Sequence, residues 1–154
     1  MKTAALLCIL LVLFACTAKA PEFTETQKNE VQQTIEANMQ KLMAAADSLD
    51  TSALEGFLSP GSDRNFFMAG VAYNKDELIS STKTEYENFM AQHLRITDHR
   101  IKIIDANNVI WTATINAVST DLTGYEEAMN FTDTWFWEKN GDTWQVSHFH
   151  ESWE

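Results

Sequence analysis

Cysteine is nearly absent from this sequence. Of 154 residues only Cys8 and Cys16 are cysteines, so beyond residue 16 there is no disulfide, no thiol nucleophile and no cysteine metal ligand. Proline and glycine are also sparse, at two and five residues, which excludes collagen-like and linker-rich architectures. Basic residues are the third scarcity. Eleven Lys and Arg face twenty-two Asp and Glu, for a net charge of -11. The few basic residues form no cluster that would neutralise a phosphate backbone, so nucleic acid and anionic membrane surfaces are excluded as partners. No internal repeat is visible, and no apolar run is long enough to span a bilayer.

What remains is ordinary globular material, 45% hydrophobic and 21% charged. The length suits one domain with a proper core. The first residues stand apart from it. MKTAALLCILLVLFAC carries Lys2 and then the apolar run Leu6 to Phe14, which has the length of a signal-peptide core. Two processing sites compete. Ala18-Lys19-Ala20 fits the small-x-small rule of ordinary cleavage, but Pro21 would follow the cut; Leu13-Phe14-Ala15-Cys16 resembles a bacterial lipobox, with Cys16 as the lipidated first residue. The lipobox is preferred. Residues 1–15 are then a lipoprotein signal peptide, 16–23 a lipidated Cys16 with a short tether, and 24–154 the folded domain. Loss of residues 1–15 removes Lys2 and no acid, leaving 10 minus 22, a net charge of -12. The expected place is the bacterial cell envelope, anchored by lipid and facing the periplasm or the exterior, with secretion after ordinary cleavage as the alternative.

Periodicity divides the domain in two. Thr24 with Gln27 forms a capping box, and Val31, Ile35, Met39, Leu42, Ala46 and Leu49 recur at steps of four and three, predicting a long amphipathic helix. Asp50 or Thr51 caps a short second helix that Ser59-Pro60-Gly61 stops. Residues 64–73 read as a short strand and turn. Asn74 with Glu77 caps a third helix, with Leu78, Thr82, Tyr86, Phe89 and Met90 on its buried face. After that the period becomes two, over 96–105, 109–118, 125–138 and 143–153. Helices followed by an antiparallel meander predict an α+β fold, with the helices on one face of a curved sheet.

Asn140-Gly141 is the strongest hairpin signal in the chain. Centred there, a type I′ turn pairs Trp137 with Trp144, Trp135 with Val146, Asp133 with His148 and Phe131 with His150, provided no bulge intervenes. All eight residues then share the face toward the helices. In that register Asp133 is placed to hold one ring nitrogen of His148 and fix its tautomer.

Trp137, followed after six residues by Trp144-Gln145, then His148-Phe149-His150 and Ser152, is similar to the close of the calcium/calmodulin-dependent protein kinase II association domain. More broadly the chain resembles the nuclear transport factor 2-like superfamily, including SnoaL-like domains. The resemblance covers the domain in element order and is specific over about residues 137 to 152. It implies a cone-shaped fold, a pocket between sheet and helices, and homodimerisation through the sheet; it does not imply one activity. Where the kinase domain carries pocket arginines this chain has Asn130 and Trp135, so an anion held in that way is not implied. Residues 65–74 contain no carboxylate, so the base of ketosteroid isomerase does not carry over either.

His148 with Asp133 has two readings: a general base with its orienting carboxylate, or a buried hydrogen bond that satisfies a core histidine. His150 reads as structural. His-x-His on one strand face lacks a third metal ligand, so no metal and no cofactor are expected. His93, at a helix end, and His99 read as surface residues. Trp135, Trp111, Tyr73, His150 and Phe131 are the expected pocket lining. The leading expectation is a membrane-tethered SnoaL-like domain that binds a small, largely apolar molecule, as a homodimer. The alternatives are a non-catalytic dimerisation or assembly module, and an isomerase, cyclase or hydrolase-like enzyme using His148 with Asp133.

Overall fold

The computed structural model describes residues 23–61, 63 and 65–153. The expected signal peptide, Cys16 and all of the expected tether but Phe23 lie outside the described residues. Among those described, no helix is long and apolar enough to cross a membrane.

Three helices come first. Helix α1, Glu25–Asp47, starts at the Thr24–Gln27 capping box and buries Ile35, Met39, Leu42, Ala45 and Ala46 on one stripe. It ends in a Schellman arrangement. The Leu49 N–H bonds the Ala46 carbonyl, the Asp50 N–H bonds the Ala45 carbonyl, and Leu49 takes the left-handed φ of 56° that glycine usually supplies. Asp50 caps α2, Thr51–Phe57, by accepting from the Ala53 N–H. Strands β1, Phe66–Met68, and β2, Val71–Tyr73, form a small hairpin. Helix α3, Lys75–Tyr86, follows with Asn74 and Glu77 as reciprocal caps.

Four long strands make the meander: β3 Phe89–Ile103, β4 Asn108–Asp121, β5 Glu126–Asn140 and β6 Thr143–Trp153. The sheet order is β2-β1-β6-β5-β4-β3, antiparallel throughout except where β1 runs parallel to β6. β3 begins earlier than the period suggests. Phe89 and Met90, expected on α3, open that strand, and His93 lies within it instead of at a helix end. Bulges near Met90 and Thr97 bend β3. Odd-numbered residues from Val109 to Ser119 and from Phe131 to Trp137 are buried against the helices. Trp137, fully buried, meets the Phe57 ring edge-on at 6.3 Å. The α+β architecture is the expected one.

The last hairpin departs from the expected register. Asn140 pairs with Thr143, so Gly141 and Asp142 form the turn, and of the two only Gly141 has positive φ, 62°. That is the pattern of a type II′ turn, not a type I′ turn at Asn140-Gly141. A bulge follows. Trp137 pairs with Val146 but Phe136 pairs with His148, so Ser147 has no partner and every later residue of β6 changes face.

Candidate functional site

The bulge decides which side chains reach the concave side. Beyond Ser147, Trp135 faces Phe149, Asp133 faces Glu151 and Phe131 faces Trp153. His148 and His150 therefore turn to the convex side, where both rings pack on Phe67 of β1 at 5.7 and 6.2 Å. The expected pairs Asp133–His148 and Phe131–His150 are corrected accordingly: Asp133 and His148 lie on opposite faces of the sheet. His148 keeps a pKa below the ordinary value, through partial burial and then the neighbouring His150.

Between the helices and the sheet lies a cavity of about 160 Å³. α1 contributes Leu42, Met43 and Ala46; α3 contributes Leu78, Ile79 and Tyr86; the sheet contributes Ile115, Ala117, Phe131, Trp135 and Phe149. Trp135 and Phe149 pack at 4.1 Å and wall one side. Of the residues expected to line the pocket, Trp135 and Phe131 do so. Trp111, Tyr73 and His150 do not. Trp111 is buried beside the cavity, and the exposed His99 ring stacks on it at 5.9 Å.

Among the polar side chains of the cavity are three carboxyl groups. Asp133 is only 2% exposed, and its Oδ1 has no hydrogen-bond partner. Burial first, and then the Glu151 carboxylate across the strand pair, push its carboxyl up to about 8; the nearby Trp135 indole acts weakly in the opposite direction. That indole N–H is nevertheless too poorly placed for a hydrogen bond, and Trp135 Nε1 is itself buried without a partner. Asp133 is thus a neutral carboxylic acid at pH 7, able to donate. Glu151 is also raised by burial, although the Trp153 indole donates to its Oε1. Glu85, exposed at the mouth, is raised by its partial burial. The Tyr86 hydroxyl is pushed up to about 12, chiefly by burial. Ser119, Thr82 and Gln92 complete the polar lining, and among the described residues no Lys, Arg or His contributes. Among the described residues no group of three His, Cys, Asp or Glu side chains is arranged to hold a metal ion.

Glu151 is the functional candidate that sequence reasoning missed. The signal was present: apolar residues of β6 occupy even positions at Trp144 and Val146 and odd positions at Phe149 and Trp153. Such a phase change marks a bulge.

Three helices on the concave side of an open, curved six-stranded sheet, with an apolar cavity between the layers, define the nuclear transport factor 2-like class. The SnoaL-like domain model matches residues 35–153, and the chain belongs to that family. Among solved structures, a nuclear transport factor 2-like protein from Salmonella enterica serovar Typhimurium superposes with a TM-score of 0.75 at 14% identity, covering 82% of this chain and 92% of that one. A protein from Novosphingobium aromaticivorans named for scytalone dehydratase gives 0.76 at 9% identity, over 85% and 89%. A domain from Xanthomonas campestris named for the calcium/calmodulin-dependent protein kinase II association domain gives 0.69 at 12% identity, over 79% and 86%. At these identities the likeness concerns the fold. Comparison with curated proteins gave no match.

Proposed function

We propose that this chain is an exported SnoaL-like domain, held at a membrane through lipidated Cys16, that takes a small, largely apolar molecule into the cavity between sheet and helices. The observation that carries this reading is Asp133. A carboxyl 2% exposed, with one oxygen unpartnered and an apolar cavity in front of it, is costly to the fold unless something uses it. Aromatic and aliphatic walls with a few convergent polar groups are what a small-molecule site requires. NMR titration of the full chain with benzene, followed on the Trp135 indole signal, tests the reading. Saturable shifts in the native chain, lost when Ala117→Phe fills the cavity, support it; unshifted signals, or shifts that survive Ala117→Phe, refute it. Replacing Cys16 with Ser should move the chain from the membrane fraction to the soluble envelope fraction.

A second reading rests on the Asp133–Glu151 pair. Two facing carboxyl groups, one titrating near neutrality, form a general acid with a neighbouring base, and dehydratase is among the activities for which fold relatives are named. Turnover of a β-hydroxycarbonyl compound that is abolished by Asp133→Asn would support catalysis. Turnover undiminished in that variant would remove Asp133 from it. The domain pairs with a second copy through the convex sheet face, where Ile110 and Phe136 sit half-buried amid threonines; light scattering of Phe136→Glu should then report a monomer.

A further inference from the structure

The cavity has room for about one benzene-sized ring, judged against cavities of similar volume that hold benzene. Its electrostatics are one-sided. Asp133 and Glu151 face each other across β5 and β6. Glu85 at the mouth raises both Glu151 and Tyr86 through its charge, and Asp47 at the end of α1 also acts on Tyr86. Among the described residues no cationic side chain lines the cavity to answer them. Around the acids stand the rings of Phe131, Trp135, Phe149 and Trp153, whose faces attract positive charge.

Resting on the pocket-binding reading above, we propose that the molecule taken into the cavity is an amine in its ammonium form, carried on an apolar body of about one ring. An ammonium brings three donors and no acceptor. It can offer one to the unpartnered Asp133 oxygen and one to Glu151 while its charge lies against the ring faces. A neutral ligand would satisfy Asp133 but leave the remaining acids unanswered, and a carboxylate ligand would be repelled by those of them that are ionised. The proton balance is distinctive. Asp133, neutral in the free protein at pH 7, gives up its proton to solvent when the ammonium arrives, because the cation stabilises the carboxylate.

Benzylamine, benzyl alcohol and benzoate share a ring and differ in the polar head, so NMR titration and calorimetry of the full chain at pH 7 separate the possibilities. Benzylamine should bind at least about tenfold tighter than benzyl alcohol, the equivalent of one charge-assisted contact, with benzoate weakest. Calorimetry in buffers of different ionisation enthalpy should show close to one proton released per benzylamine and none per benzyl alcohol. Glu151→Gln should collapse the amine-to-alcohol ratio, and Asp133→Asn should abolish the proton release. Benzyl alcohol binding as well as benzylamine, or benzylamine binding without proton release, overturns the inference and leaves the pocket reading standing. If none of the three probes binds, the pocket reading falls and this inference with it.

Discussion

Replacement of Asp133 by Asn removes a titration and almost nothing else, because the amide has the shape of the neutral acid. In the native fold the carboxyl titrates near 8, against 3.8 for a free aspartate. Between those values the folded chain holds a proton that the unfolded chain has released. Raising the pH therefore favours unfolding. The contribution of Asp133 is fully present below about 4, falls through the window, and is gone above about 8. Each pH unit inside the window corresponds to about 1.4 kcal/mol. From pH 5 to pH 7, allowing for partial ionisation of the folded form near its midpoint, the loss is about 2.5 kcal/mol.

Urea unfolding at pH 5, 6 and 7, native against Asp133→Asn, measures this. The difference in stability between the two proteins should change by about 2.5 kcal/mol across the series, with the native chain losing ground as pH rises. In melting temperature that is about 8–10 °C for a domain of this size. Taking the difference cancels what the two proteins share, including the raised Glu151 and Glu85, which act in the same direction, and the depressed His148, which acts in the opposite one. Parallel profiles would mean that Asp133 ionises normally in the fold. A native profile that gains on the variant as pH rises would mean that the carboxylate is the stabilised form, and either result refutes a neutral buried acid.

Other consequences are simpler to measure. Trp137→Ala, which empties a fully buried site against Phe57, should cost about 3–5 kcal/mol in chemical unfolding, at the scale of large aromatic deletions. Asn74→Ala removes the side-chain arm of the α3 capping box, the Oδ1 that accepts from the Glu77 N–H, and should cost about 1 kcal/mol, read in the same assay; no change would mean that α3 does not depend on that cap. His148→Ala should leave the benzene and benzylamine titrations of the native chain unaltered, because its ring packs on Phe67 outside the cavity. A tenfold loss of either affinity would place His148 in the site after all.

The sequence made the fold legible wherever local chemistry and period agreed. Thr24–Gln27 and Asn74–Glu77 announce their helices, and the reciprocal hydrogen bonds are there. The apolar stripe of α1 and the alternation of β4 and β5 settle which faces are buried. Local rules failed at Phe89 and Met90, where residues suited to a helix face begin a strand whose partner, Asp121, lies 32 positions beyond Phe89. They failed again at Asn140-Gly141. The dipeptide marks the hairpin correctly, but its turn sits one residue later, and the pairing that decides the site depends on Ser147, where no turn chemistry is involved.

That bulge explains why a short C-terminal strand can serve two surfaces. Before it, Trp144 and Val146 pack into the core; after it, Phe149, Glu151 and Trp153 turn inward to the cavity, while His148 and His150 go outward against Phe67. An unbulged β6 would place both imidazoles beside Asp133 and give the cavity bases. The bulged strand gives it a third acid and two further rings instead. The acidic and aromatic character of the site thus follows from one unpaired residue in the sheet. Deleting Ser147 should leave those faces unchanged, because Val146, His148 and Phe149 would then alternate without interruption. The deletion would remove the bend and keep the chemistry, so the Asp133 pH dependence should persist in it. Its disappearance would show that curvature at the bulge, and not the identity of the inward residues alone, keeps Asp133 buried.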